Sequence, residues 1–150
     1  MKTNVKPEKQ FVLDYVAENA DALAGVCDSL FWFGEPAMQE ERSAELLSGI
    51  LEDGGFSVER GISGFPTGFM ATYGEGEPVI AVHTEYDAAP NNSQQPGVGE
   101  HAAIVEGAPG HCEGHNCNAA VMVAGAIAAR RAMDEFGLKG TLKGFGAPGE

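Results

Sequence analysis

Between Gly110 and Cys117 the chain reads Gly-His-Cys-Glu-Gly-His-Asn-Cys, placing two imidazoles, a carboxylate and two thiols within eight residues. Glu113 stands between His111 and His115, with Gly114 beside the second histidine. Imidazole nitrogen and carboxylate oxygen are donors that borderline divalent cations accept, so a tight turn here would let the stretch converge on one ion. The alternative is an exposed polar loop that merely contains His and Cys, and spacing alone does not separate the two. A second chemical group, His83-Thr84-Glu85-Tyr86-Asp87, follows the apolar run Val79-Ile80-Ala81-Val82. Charged residues just past the carboxyl end of a buried strand lie where open α/β sheets put their ligand sites. A fourth carboxylate, Glu150, closes the run Ala147-Pro148-Gly149-Glu150. Nucleophilic catalysis by Cys112 or Cys117 is the rival chemistry, since a thiol beside histidines near a helix start is well placed to ionise. It leaves both Glu150 and the acidic cluster after the apolar run unexplained, so metal chemistry is the preferred reading.

These residues need elements to hold them. A chain of 150 residues with 43% hydrophobic and 21% charged content fits one globular domain with a core of its own. No apolar run approaches the roughly 20 residues of a membrane-spanning helix. The start Met1-Lys2-Thr3-Asn4 lacks the apolar segment of a secretory signal, so a cytoplasmic location is expected. A formal charge of −13 with only nine Lys and Arg excludes nucleic acid as a partner and leaves cations and small molecules. Three cysteines, an odd count, disfavour a disulfide framework, and Cys27 reads as a small core residue in an apolar helical pattern.

Apolar residues at helical spacing from Pro7 to Phe33, among them Val12, Val16, Leu23, Cys27 and Leu30, predict one long amphipathic helix. Its Phe31-Trp32-Phe33 end reads as core or subunit packing. A second helix is predicted from about Met38 to Asp53, stopped by Gly54-Gly55. The period then becomes extended over Phe56 to Arg60, Gly68 to Tyr73 and Val79 to Val82, and the last of these strands, apolar on both faces, reads as central. A long Pro/Gly/Asn/Gln loop spans Ala88 to Gly110. An alanine-rich helix from about Asn116 to Phe136 and a strand from Gly140 to Gly146 complete the pattern. The expected fold is α/β, a mixed sheet flanked by helices.

Three motifs in series, His-Thr-Glu-Tyr-Asp-Ala-Ala-Pro at 83 to 90, Gly-His-Cys-Glu-Gly-His-Asn at 110 to 116 and Gly-Thr-Leu-Lys-Gly-Phe-Gly-Ala-Pro-Gly-Glu at 140 to 150, give the chain a family likeness. Over about residues 10 to 150 it resembles metallopeptidase family 20, the aminoacylase, carboxypeptidase and p-aminobenzoyl-glutamate hydrolase group. The resemblance implies that residues 1 to 150 are the amino-terminal part of a catalytic domain. The rest of that domain and a lid or dimerisation domain would lie downstream. The implied partners are that carboxy-terminal remainder, a further copy in a homo-oligomer, and a small-molecule substrate.

Carried over position by position, the resemblance makes His115 a metal ligand and gives the same role to His83, with Glu85 orienting the His83 ring. Glu113 stands where amidohydrolase members carry a ligating Cys and peptidase members a bridging Asp. A carboxylate in place of a thiolate hardens the site toward Mn, Fe, Co or Zn held by oxygen and nitrogen. Asp87 is expected to hydrogen-bond within the site and His111 to support it, while Cys112 and Cys117 flank the Glu113 position. Glu150 aligns with the family's general base, the first of two consecutive glutamates, whose successor is a metal ligand. The implied reaction is hydrolysis of a C–N bond by metal-activated water, with Glu150 shuttling the proton. An isolated fragment ending at Glu150 is expected to be inactive. The Glu113 departure points to aromatic deamination of the 5-nitroanthranilate kind. The alternatives are an amidohydrolase or peptidase of aminoacyl or aminobenzoyl-glutamate type and, from another class, a non-catalytic protein that keeps the fold and binds metal or a partner.

Overall fold

Residues 5–150 are described by a computed structural model. Pro7, whose missing N–H costs nothing in a first helical turn, opens α1 (Pro7–Glu18), and α2 (Ala20–Phe33) follows after a single residue. The expected single helix is thus two. At Asn19 the backbone leaves helical geometry (φ −107°, ψ 15°), and the side-chain Nδ2 donates to the Tyr15 carbonyl at 2.8 Å. Asparagine offers the chain this local alternative to a continuous ladder, and the apolar periodicity on either side does not register it.

The next helix, α3 (Glu41–Asp53), starts three residues later than Met38, the start that apolar spacing predicts. Met38 itself is left-handed at φ 62°. The Glu35 carboxylate accepts from the Arg42 and Ser43 amides at 3.0 and 2.9 Å and from Ser43 Oγ at 2.7 Å. A carboxylate there satisfies amides with no intrahelical partner and suits the positive end of the helix dipole. Further along the helix Leu47 and Leu51 are fully buried.

The sheet contains β1 (Ser57–Arg60), β2 (Phe69–Glu75), β3 (Val79–Glu85) and β4 (Gly140–Ala147) in the order β1-β2-β4-β3. β1, β2 and β4 pair antiparallel, whereas β3 and β4 are parallel, with His83 opposite Phe145 and Glu85 opposite Ala147. A parallel pair requires a crossover, supplied by the long loop and α4 (His115–Phe136). α4 lies on β3 and β4 and α3 on β1 and β2, while α1 and α2 pack on α4. Small side chains permit that approach: Ala119, Ala120, Ala124, Ala126, Ala128 and Ala132 of α4 are all buried. The core gathers Leu30, Leu47, Leu51, Phe56, Phe69, Tyr86, Met122 and Val123. Within it the Phe69 and Tyr86 rings stack at 5.9 Å.

The architecture is the α/β mixed sheet with flanking helices that the sequence predicts, but β3 is not central. β4 separates it from β2, and β3 forms an edge on which Val79, Ile80 and Val82 are 49%, 54% and 41% exposed. A run apolar on both faces matches burial on both faces, and among the described residues no strand pairs with its outer side. The strand also runs on to Glu85, so His83 and Glu85 belong to it and only Tyr86 and Asp87 follow it. Among the described residues no helix is long and apolar enough to cross a membrane.

Candidate metal centre

Because β3 and β4 are parallel, both end at the same edge of the sheet, and the crossover returns α4 to start there. Asp87 lies just past β3, Glu150 just past β4, and His115 opens α4. The loop between β3 and α4 is pinned close by. Ala88 N donates to Glu35 O at 2.8 Å, and Ala89 and Gly110 exchange backbone hydrogen bonds at 3.1 and 3.0 Å. Gly110 has no room for a side chain, since a Cβ there would stand 2.1 Å from the Asn92 carbonyl oxygen. Gly114, left-handed at φ 93°, makes the turn that delivers His115 to the first position of the helix.

His115 is buried and oriented. Its Nδ1 lies 3.0 Å from Asp87 Oδ1, and because a carboxylate only accepts, that nitrogen carries the hydrogen and Nε2 presents a lone pair. Toward Nε2 come Glu150 Oε2 at 3.2 Å and Glu113 Oε2 at 3.5 Å. Donor atoms of the three residues all lie within 4.8 Å of one another, close enough to share one ion. Burial pulls the His115 pKa down, but the hydrogen bond and charge of Asp87, assisted by Glu113, outweigh it and hold the group above the usual imidazole value. Asp87 and Glu113 therefore favour positive charge at this point.

The centre lines a cavity of about 430 Å³, walled on its other sides by Pro36, Ala37, Ala88, Pro90, His111 and Cys112. Glu113 and Glu150 are 62% and 66% exposed, so their carboxylates stand at an open mouth. His111 is half-buried, with Nε2 donating to the Leu30 carbonyl at 3.0 Å. Burial lowers its pKa, partly offset by that hydrogen bond, and its Nδ1 is buried with no partner among the described residues.

His83 and Glu85 pair with one another, Nε2 to Oε1 at 2.6 Å, and neither belongs to the three-donor cluster. Burial works upward on the Glu85 pKa, but its backbone hydrogen bond and the His83 imidazole pull it below the ordinary carboxylate value. Cys112 is exposed at the cavity wall. Cys27 is not the core residue its apolar setting predicts; it is half-exposed and its Sγ lies 3.2 Å from Cys117 Sγ. The wall formed by Pro36 and Ala37 was invisible in the sequence, where Gly34-Glu35-Pro36 marks only a helix end. Its tie to the site, the bridge between Pro36 and Ala88, joins residues far apart in the chain and has no local signal.

No family model matches the chain. Over 141 residues, 94% of this chain and 29% of the relative, it is 35% identical to one of the subunits of p-aminobenzoyl-glutamate hydrolase from Escherichia coli. Its fold matches a dinuclear metal-binding peptidase of the M20 family from Bacillus subtilis with a TM-score of 0.72 and 26% identity, over 87% of this chain and 35% of that one. It also matches an aminobenzoyl-glutamate utilization protein from Klebsiella pneumoniae, at 16% identity and a TM-score of 0.63, over 93% of this chain and 39% of that one. The chain thus spans about a third of the length of the relatives it matches. Likeness in sequence and likeness in fold agree: the chain is a relative of the M20 metallopeptidases and of p-aminobenzoyl-glutamate hydrolase.

Proposed function

We propose that the chain holds a divalent transition metal (Mn, Zn, Co or Fe) at Glu113 and His115 and serves the hydrolysis of an amide C–N bond in a small substrate of the aminobenzoyl-glutamate kind. The observation that carries this reading is the convergence of Glu113, His115 and Glu150 on one point, with His115 oriented by Asp87. The donor set fits such an ion: one imidazole nitrogen whose other nitrogen is tied to a carboxylate, plus carboxylate oxygens at an open mouth. A bound cation would supply Lewis acidity, lowering the pKa of water and polarising a carbonyl.

The rest falls to the chain's own groups. Asp87 fixes the His115 tautomer and ring. Glu113 and His115 hold the ion, and Glu150 serves as general base, taking a proton from the attacking water and returning it to the leaving nitrogen. Glu150 also lies within reach of the ion, and one carboxylate oxygen cannot be both ligand and base in the same step. The two roles separate experimentally, because Glu150→Gln should keep the cation and lose turnover. In this reading His83 and Glu85 form a preassembled pair for a further ligand position, to be completed by polypeptide beyond this chain. Support for such a remainder comes from the threefold greater length of the relatives and from the exposed apolar edge of β3.

Likeness to p-aminobenzoyl-glutamate hydrolase favours amide hydrolysis over deamination of an aromatic ring. The test is to supplement the chain with the unmatched portion of such a relative, load it with Mn, Co or Zn, and assay p-aminobenzoyl-glutamate, aminoacyl amides and 5-nitroanthranilate in parallel. Metal-dependent release of p-aminobenzoate or of an amino acid is expected. Ammonia from the nitroaromatic amine alone would overturn the substrate class, and no metal-dependent turnover on any of them would overturn the enzyme reading.

A further inference from the structure

Outside the metal centre the structure brings together two more reactive groups. Cys27 lies on α2 and Cys117 in the first turn of α4, 90 residues apart in the chain, yet their sulfurs are 3.2 Å apart. That separation exceeds the roughly 2.05 Å of a disulfide by only about 1.2 Å. The approach is held by a third residue: Asn116 Nδ2 donates to the Cys27 carbonyl at 3.3 Å and to Cys27 Sγ at 3.2 Å, tying the two helices at this level. Cys117 is exposed and Cys27 half-exposed, so a small reagent reaches the pair from solvent.

We propose that Cys27 and Cys117 form a redox modification site, closing reversibly to an intramolecular disulfide on exposure to a hydroperoxide. The exposed Cys117 thiol meets the oxidant first: its sulfur takes one oxygen from hydrogen peroxide, giving a sulfenic acid and one water. The Cys27 sulfur then attacks Cys117 Sγ, the S–O bond breaks, and the hydroxide leaves as a second water with the proton from Cys27. Two thiols are oxidised and one peroxide is reduced. Burial and the neighbouring Cys117 push the Cys27 thiol up to about 11, which slows its own reaction with peroxide. Neither sulfur belongs to the three-donor cluster, so the thiol pair is independent of the hydrolase reading. In a reducing compartment such a bond is transient and signals oxidant exposure.

The experiment treats the full chain with hydrogen peroxide and counts thiols after denaturation. The chain holds three cysteines, so the count should fall from three to one, with a loss of two hydrogen atoms in the intact mass and a Cys27–Cys117 crosslinked peptide in the digest. Dithiothreitol should restore all three. Cys112→Ser should still form the bond, ending with no free thiol, whereas Cys27→Ser and Cys117→Ser should not form it. Three thiols surviving treatment, a crosslink through Cys112, or oxygen addition without crosslinking would each overturn the proposal. Because serine is nearly isosteric with cysteine, circular dichroism of the variants separates lost pairing from lost fold.

Discussion

At the residue scale the site depends on one buried hydrogen bond. Asp87 holds Nδ1 of His115, leaving Nε2 as the donor that faces Glu113 and Glu150. Asp87→Asn removes the charge and allows the amide to present its NH₂ group to Nδ1, favouring the wrong tautomer. Cation affinity, read by isothermal titration calorimetry, should fall by about 10- to 100-fold, the usual cost of losing such a partner. Glu150→Gln should leave affinity within a few-fold and lower the turnover of the supplemented enzyme by about 10²- to 10⁴-fold, the range for a general base. Much of this arrangement was readable from residue types: Glu113, His115 and Glu150, which the structure brings together, all lie in motifs that type and spacing single out, and the motifs are local. The Cys27–Cys117 approach was not readable, because it depends on how α2 lies across α4, and no spacing within either helix encodes that.

Elements explain which parts of the fold were legible. Periodicity located the helical segments and the four strands of the sheet, since apolar spacing is a local signal. It missed the break at Asn19 and the late start of α3, both set by side chains that bond the backbone rather than by apolar spacing. It also misplaced β3, because strand order is a non-local property. Close approach of elements is tested at two positions. A Cβ at Gly146 of β4 would stand 2.2 Å from Phe69 Cε1 of β2, so Gly146→Ala should cost about 1–3 kcal/mol through overpacking. Leu47→Ala, which empties a fully buried site on α3, should cost about 2–5 kcal/mol. Urea denaturation measures both, and a loss under 0.5 kcal/mol, roughly the limit for surface substitutions, would show that these contacts are not part of the core.

For the whole molecule, strand order places the three motifs on one edge of the sheet and leaves β3 with its apolar flank exposed. The sequence of β3 fits burial on both faces, so its outer amides should exchange quickly in this chain alone and become protected when the remaining polypeptide of a relative is added. Equal exchange in both states would mean that the added chain does not pair there. The charge of −13 is consistent with a cation-binding molecule but is mostly a property of the solvated surface. The proposed activity requires Glu113 and His115 to hold an ion, and this chain can be tested for that without any assay of turnover. Calorimetric titration of Mn, Co or Zn into the wild-type chain and into Glu113→Ala and His115→Ala, each confirmed folded by circular dichroism, measures it directly. Saturable binding to the wild type that is lost or severely weakened in both variants is the predicted result; unchanged affinity in both would contradict the metal centre.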